Sequence, residues 1–259
     1  MKLSWNTIIG SAALAFAVNA NAGLIDFNGF EHGTVINDQY ASEGLLISAD
    51  NLLAFKEDYA VAYDSTNRKR NKITNADKDL NGPSWGAGNM GDSNMELGGL
   101  LIIQENDIGC DTGVCSVPDD EGFRPAGSLF FGFDEAISSF GFDVIDVEKV
   151  GEAPKYHVSF YSDFDVVGGQ ITVDNSDKVG QVNFEDLVGH NGVEFGNNSF
   201  NRLEPFWFDD PKLVKAVQIR MGGSGGVDNL VFSVSEPSAI ALLVLGMGGI
   251  VALRRRREV

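Results

Sequence analysis

Asp77, Asp79 and Asn81 occupy alternate positions of an Asp-Lys-Asp-Leu-Asn-Gly run that ends on Gly82. Calcium takes about six to eight hard oxygen ligands, and alternate side chains of a tight turn can point inward together. Glycine at the sixth place permits the bend. The twelfth place of a full calcium loop carries a bidentate Glu; here it is Gly88. An EF-hand is therefore excluded. Further ligands would have to come from acidic stretches elsewhere, around Asp119, Asp120 and Asp146. The alternative is a solvated turn, because Asp and Asn side chains readily bond their own backbone.

Flat side chains are a second chemical resource. Sugar rings present apolar C–H faces that stack on aromatic rings, while polar neighbours take the hydroxyls. Trp207 lies between Phe206 and Phe208 in an acidic, Pro-bounded segment, and Trp85 lies in the Gly/Asn-rich stretch 67–98. Both are candidate sugar contacts, with a place in the core as the alternative for each. Arg68, Lys69, Arg70 and Lys72 make a basic patch in an acidic chain, either a grip for anionic polysaccharide or a solvated loop. Catalytic signals are thin. There is no H-E-x-x-H zinc motif, no G-x-S-x-G elbow and no phosphate-binding loop. The glycine-rich run 222–226 reads as a flexible turn. The chain is read as non-enzymatic, with a polysaccharide hydrolase or lyase as the least favoured alternative. A carboxylate pair for that chemistry is defined by spatial separation, not by sequence spacing.

The formal net charge is −18. A field of that sign repels nucleic acid and anionic membrane and suits cations. Both ends have the marks of processing. Lys2, an apolar stretch over 8–18 and Ala20-Asn21-Ala22 predict a signal peptide over 1–22, with the mature chain starting at Gly23 after signal peptidase. At the other end, Glu236-Pro237 precede fifteen uncharged residues, 239–253, and then Arg254, Arg255, Arg256 and Arg257. As a helix that run rises roughly 22 Å, against a hydrocarbon core of ~30 Å. It is short for a permanent anchor, and the arginines hold its end on the cytoplasmic side. Cys110 and Cys115 are the two cysteines. In an exported chain they predict a disulfide, closing a short loop worth ~2 kcal/mol.

Helical periodicity is nearly absent between 23 and 235. Short β-rich runs alternate with Gly, Asn, Asp and Pro. They predict strands over 24–28, 44–48, 52–55, 99–104, 128–133, 137–144, 155–161, 170–173, 181–184, 213–220 and 227–234. That many strands in one stretch predict an all-β fold, two antiparallel sheets packed as a β-sandwich or jelly roll. The stretch 67–98 is the longest without a strand signal, and such a loop is usually functional or disordered.

The C-terminal tail SEPSAIALLVLGMGGIVALRRRREV resembles the PEP-CTERM sorting signal of Gram-negative bacteria, with Ser235 at the usual first proline. That resemblance implies recognition by an exosortase and cleavage near Glu236-Pro237. It also implies transient anchoring in the inner membrane and a final place at the cell surface or in the extracellular matrix. The region between the two ends resembles jelly-roll modules of exported bacterial proteins. LIDFNGFEHGTVINDQYASEGLLIS opens it; DKDL, LLIIQEND, VPDDEGFRPAGSLFFGFD and GFDVIDVE follow; GGVDNLVFS closes it. It departs from the pattern at Asn28, where an acidic residue is usual. This second resemblance implies a carbohydrate-binding-like sandwich, often stabilised by calcium. In such a fold the first and last strands lie close, so Asp26, Glu31 and Asp228 could surround one ion. The plain alternative is surface charge, with Asp228-Asn229 serving the turn before the last strand. Together these readings give an exported, non-catalytic module that binds glycan or exopolysaccharide and no nucleic acid. A purely structural or adhesive surface protein is the main alternative.

Overall fold

The computed structural model describes residues 22–53, 55–66, 78–91, 94–148, 152–209 and 213–234. Within them run the strands β1 (Ala22–Ile25), β2 (Leu45–Asn51), β3 (Ala60–Asp64), β4 (Gly99–Ile103), β5 (Gly127–Ile145) and β6 (His157–Tyr161), followed by β7 (Asp165–Val167), β8 (Gln170–Thr172), β9 (Lys178–Asn183), β10 (Phe200–Trp207), β11 (Val214–Met221) and β12 (Gly226–Val234). All their pairings are antiparallel.

The 19-residue β5 decides the architecture. It unites two runs that the sequence reading separates, 128–133 and 137–144. Its first half is paired by β2 and β11, with Phe131 opposite Ile47 on one side and Val217 on the other. Its second half is paired by β10 and β12, with Val144 opposite Asn201 and Val227. The partners change around Asp134, Glu135 and Ala136, the only stretch of β5 with consecutive exposed residues. β5 thus passes from one sheet, β2-β5-β11-β6-β9, into another. In the second, β10, β5 and β12 lie side by side, β1 and β4 both pair β12, and β3 pairs β4. Alternate side chains of the two halves face each other. The rings of Phe131 and Phe133 stand 5.7 and 6.2 Å from Phe140, and Phe133 stands 5.0 Å from Phe232 of β12. Burying each such ring contributes about 2–3 kcal/mol, so this aromatic stack holds the two sheets as a sandwich.

A second apolar cluster lies apart from this core. Ile145, Phe200, Leu100, Ile102, Val61 and Tyr63 meet Leu80, Trp85 and Leu97 there. The described part of the long strandless stretch is therefore a cover with its own apolar anchors. The disulfide Cys110–Cys115 is present and sits in the same cluster. These strands and clusters belong to one unit, Asn21–Ser235, which carries its own core and so the means to fold alone.

The segment 52–55 is a turn, not a strand. The Lys56 N–H donates to Leu53 O at 3.2 Å, and Phe55, third in that turn, has φ 69°. A left-handed backbone there normally takes Gly or Asn, and the Phe55 ring is fully exposed. Phe55→Gly is expected to stabilise the unit by about 0.5–1 kcal/mol. A thermal melt checks it; a lower midpoint would mean the ring has an apolar contact that offsets the strain.

Candidate cation and glycan site

Where β5 runs between β10 and β12, Asp143 lies opposite Arg202 on one side and Asp228 on the other. Asp143 is fully buried. The Arg202 guanidinium donates to its two oxygens at 2.8 and 2.7 Å, and Asn229 Nδ2 donates at 2.9 Å. Those bonds, then the Asp143 charge, raise the Arg202 pKa against some loss of solvation. Such a bidentate pair is geometrically specific.

Asp228 is also fully buried, yet no cationic side chain reaches it. Asn229 Nδ2 donates to its Oδ2 at 3.1 Å, while its Oδ1 is buried without a hydrogen-bond partner. Burial is the main reason its carboxyl is pushed up from 3.8 to about 8. The charges of Asp143 and Asp26 push the same way, and the backbone N–H groups of Asn229 and Phe27 push against it. Tyr40 closes the other side. Its hydroxyl donates to Asp26 O, and burial, then the charges of Asp26, Glu43 and Asp228, hold the phenol protonated. A buried carboxylate with an open oxygen needs a proton or a cation. The donors are all oxygen, which suits calcium. Among the described residues no three His, Cys, Asp or Glu side chains form a ready cage. A cation here would take Asp228 and Asp26 and complete its shell with main-chain carbonyls and water.

The expected trio is thus altered. Asp26 and Asp228 act on one another, but Glu31 is exposed and is not among the charges acting on Asp228. Asp143 takes its place as a neighbour. The signal for it was a charged residue inside the apolar run Phe142-Asp143-Val144, which in a buried strand must be paired. Asn28, at the position where the pattern has an acid, accepts the Gly99 N–H through Oδ1 at 2.7 Å.

The Asp-x-Asp-x-Asn-Gly run resolves as a turn. Asp77 lies outside the described residues. Asn81 donates its backbone N–H and its Nδ2 to Lys78 O at 3.1 and 3.2 Å, Leu80 is buried, and Asp79 is half-buried. Nor do the expected partners gather there. Asp119 takes part in backbone pairing, its N–H donating to Gln104 Oε1 at 3.1 Å and its carbonyl accepting from Glu105 N–H at 2.9 Å. Asp120 accepts the Gly225 N–H. Asp146 accepts the Asn198 N–H at 2.6 Å. Asp120 and Asp146, with Glu152, instead surround the buried Tyr156, whose phenol is raised first by burial and then by those charges. The run 222–226 packs on this group. A Cβ on Gly222 would lie 2.3 Å from Glu152 O, and one on Gly223 2.4 Å from Glu152 Cδ. Close approach, not flexibility, requires those glycines.

Trp85 is a correction. It is 3 % exposed, its indole N–H donates to Met95 O at 2.9 Å, and its ring meets Phe200 edge-on at 5.6 Å. It presents no face to a sugar. Trp207 is 73 % exposed. A register shift between Leu203 and Phe206 re-aims the end of β10. Phe206 and Phe208 then turn inward onto Phe160, at 5.7 and 4.8 Å, and Trp207 turns outward. The β10 edge is blunted around it. Asn89 Oδ1 accepts the Arg202 N–H at 2.8 Å and its Nδ2 donates to Arg202 O at 2.9 Å; Pro205 interrupts the rest.

Ala22 and Gly23 lie in β1, Gly23 opposite Phe232, so a chain cut before Gly23 would start within that strand. Ala20, the signal segment before it, Arg68, Lys69, Arg70, Lys72, and the tail with Glu236, Pro237 and Arg254 to Arg257 lie outside the described residues. Among the described residues no helix is long and apolar enough to cross a membrane.

No protein-family model and no curated protein matches the chain. Among solved structures, it is similar to the K2 cleaved adhesin domain of Lys-gingipain, at 12% identity, covering 83% of this chain and 99% of that one with a TM-score of 0.38.

Proposed function

We propose that this chain is an exported, non-catalytic surface or matrix module that binds glycan through Trp207 and is stabilised by calcium at Asp228. Trp207 carries the reading: a tryptophan held rigid by Phe206 and Phe208 on either side, its own face open to solvent, with exposed Glu204 and Asp209 beside it. A large apolar ring kept exposed on a strand is a contact surface awaiting a partner, and carboxylates around it suit sugar hydroxyls. The Cys110–Cys115 disulfide supports an oxidising compartment. The two end segments supply the route: signal peptidase, passage through the inner membrane, then exosortase. Trp207→Ala should weaken binding of the Asn21–Ser235 unit to exopolysaccharide by at least about tenfold, or about 1.4 kcal/mol, in a calorimetric titration with the melting point unchanged. Unaltered affinity would remove Trp207 from the site.

A further inference from the structure

The segment that leads away from Asp228 also walls a cleft distant in sequence from Trp207. After Asp26, Phe27 and Asn28 run beside the ends of β3 and the start of β4, enclosing a cavity of about 240 Å³ between Asn28, Phe30, Tyr63, Asp64, Thr66 and Gly98. We infer that this cleft is a second glycan subsite, one that takes a single neutral sugar unit.

Its walls and floor are built, not incidental. Phe30 supplies a half-buried aromatic wall, braced edge-on against Tyr40 at 5.7 Å. The Asn28 amide has a fixed sense, because its Oδ1 accepts the Gly99 N–H at 2.7 Å. Its Nδ2 is left as a donor at the exposed rim. Across the cleft, Thr66 donates its N–H and its hydroxyl to Asp64 Oδ1 at 2.9 and 2.6 Å. That fixes the carboxylate and leaves the hydroxyl oxygen able to accept. The floor is bare backbone. A Cβ on Gly98 would lie 1.8 Å from Asn28 Oδ1, and one on Gly99 2.2 Å from Phe27 O, while Gly98 has φ 80°. Only glycines let Asn28 fold in and keep the space open.

Donor, acceptor and hydroxyl around one aromatic wall are the complement of a polyhydroxylated ring. The volume is below the ~300–1,000 Å³ of sites for drug-sized ligands, so it suits one ring-sized unit. Asp64 at the rim and Asp26 behind it repel an anionic unit, and no described cation lines the cleft to offset them. The unit is therefore neutral, not a uronate or sulfated sugar. The ligand class rests on the glycan reading above; the location does not depend on Trp207.

Saturation-transfer NMR and calorimetry on the Asn21–Ser235 unit, with a panel of neutral methyl glycosides and their uronate counterparts, test this directly. At least one neutral glycoside should bind saturably and the uronates should not. Trp207→Ala should leave that binding unchanged. Asn28→Ala and Thr66→Val, both at exposed side chains, should each weaken it at least about tenfold, with melting points showing that the fold persists. If no neutral glycoside binds while exopolysaccharide still binds through Trp207, the cleft inference fails and the Trp207 reading stands. If polysaccharide binding is absent too, both fail. Binding that survives both cleft substitutions would also overturn the location.

Discussion

Raising the pH from 5 to 8 without calcium should destabilise this protein by several kcal/mol, and Asp228→Asn should remove most of that loss. Asp228 is pushed up from 3.8 to about 8. Between those values the unfolded chain is ionised at this position while the native chain keeps its proton. The native state then binds more protons, so stability is greatest at and below about pH 4, falls as pH rises to about 8, and is level above it. The full shift corresponds to about 5 kcal/mol as an upper bound. Asp50 and Glu152 are raised as well, each mainly by burial, and they tilt the curve the same way. The difference between wild type and Asp228→Asn isolates the one carboxyl. Urea unfolding at the two pH values measures it. Calcium in the proposed site would replace the proton, so adding it at pH 8 should restore the lost stability in wild type and leave Asp228→Asn unmoved. Equal responses in both proteins would show that the ion binds elsewhere.

Arg202→Ala should cost about 3 kcal/mol, because it strands the buried Asp143 carboxylate. Half of the guanidinium's neighbourhood is solvent, its side chain being 44% exposed, so the cost falls at the low end of the range for breaking a buried pair. Arg202→Lys should recover only part of it, since one ammonium cannot match two parallel bonds. The double substitution Arg202→Ala with Asp143→Asn should be milder than Arg202→Ala alone, as no buried charge is left unpaired. A double substitution as damaging as the single one would mean that packing of the Arg202 stem dominates.

The sequence reveals much of this fold where burial follows strand periodicity. The run Ser128-Leu129-Phe130-Phe131 is apolar on both faces, and it is central. Continuity through Asp134-Glu135-Ala136 is not legible, because two adjacent acids look like a turn; here they mark the crossing between sheets, where both faces of the strand are wet. β10 is hidden by Pro205, which argues against a strand unless the strand is an edge. β3 is hidden for lack of flanking turn signals. In the candidate site, the closeness of Asp26 and Asp228 is readable from their places on the first and last strands. Asp143 is not, because its partner Arg202 comes from a strand that the sequence conceals. Trp85 and Trp207 look alike in composition. What separates them is register: a bulge turns one outward, while the other drops onto Phe200 in a cluster that no local pattern announces.

The most direct test is binding of the Asn21–Ser235 unit to an array of glycans and exopolysaccharides, with calcium and again with a chelator. Saturable binding to a restricted set of glycans, weakened by chelator and lost in Trp207→Ala, is the expected result. Absence of binding in both conditions, from protein that melts cooperatively, would contradict a glycan-binding role and leave a structural or adhesive surface protein in its place.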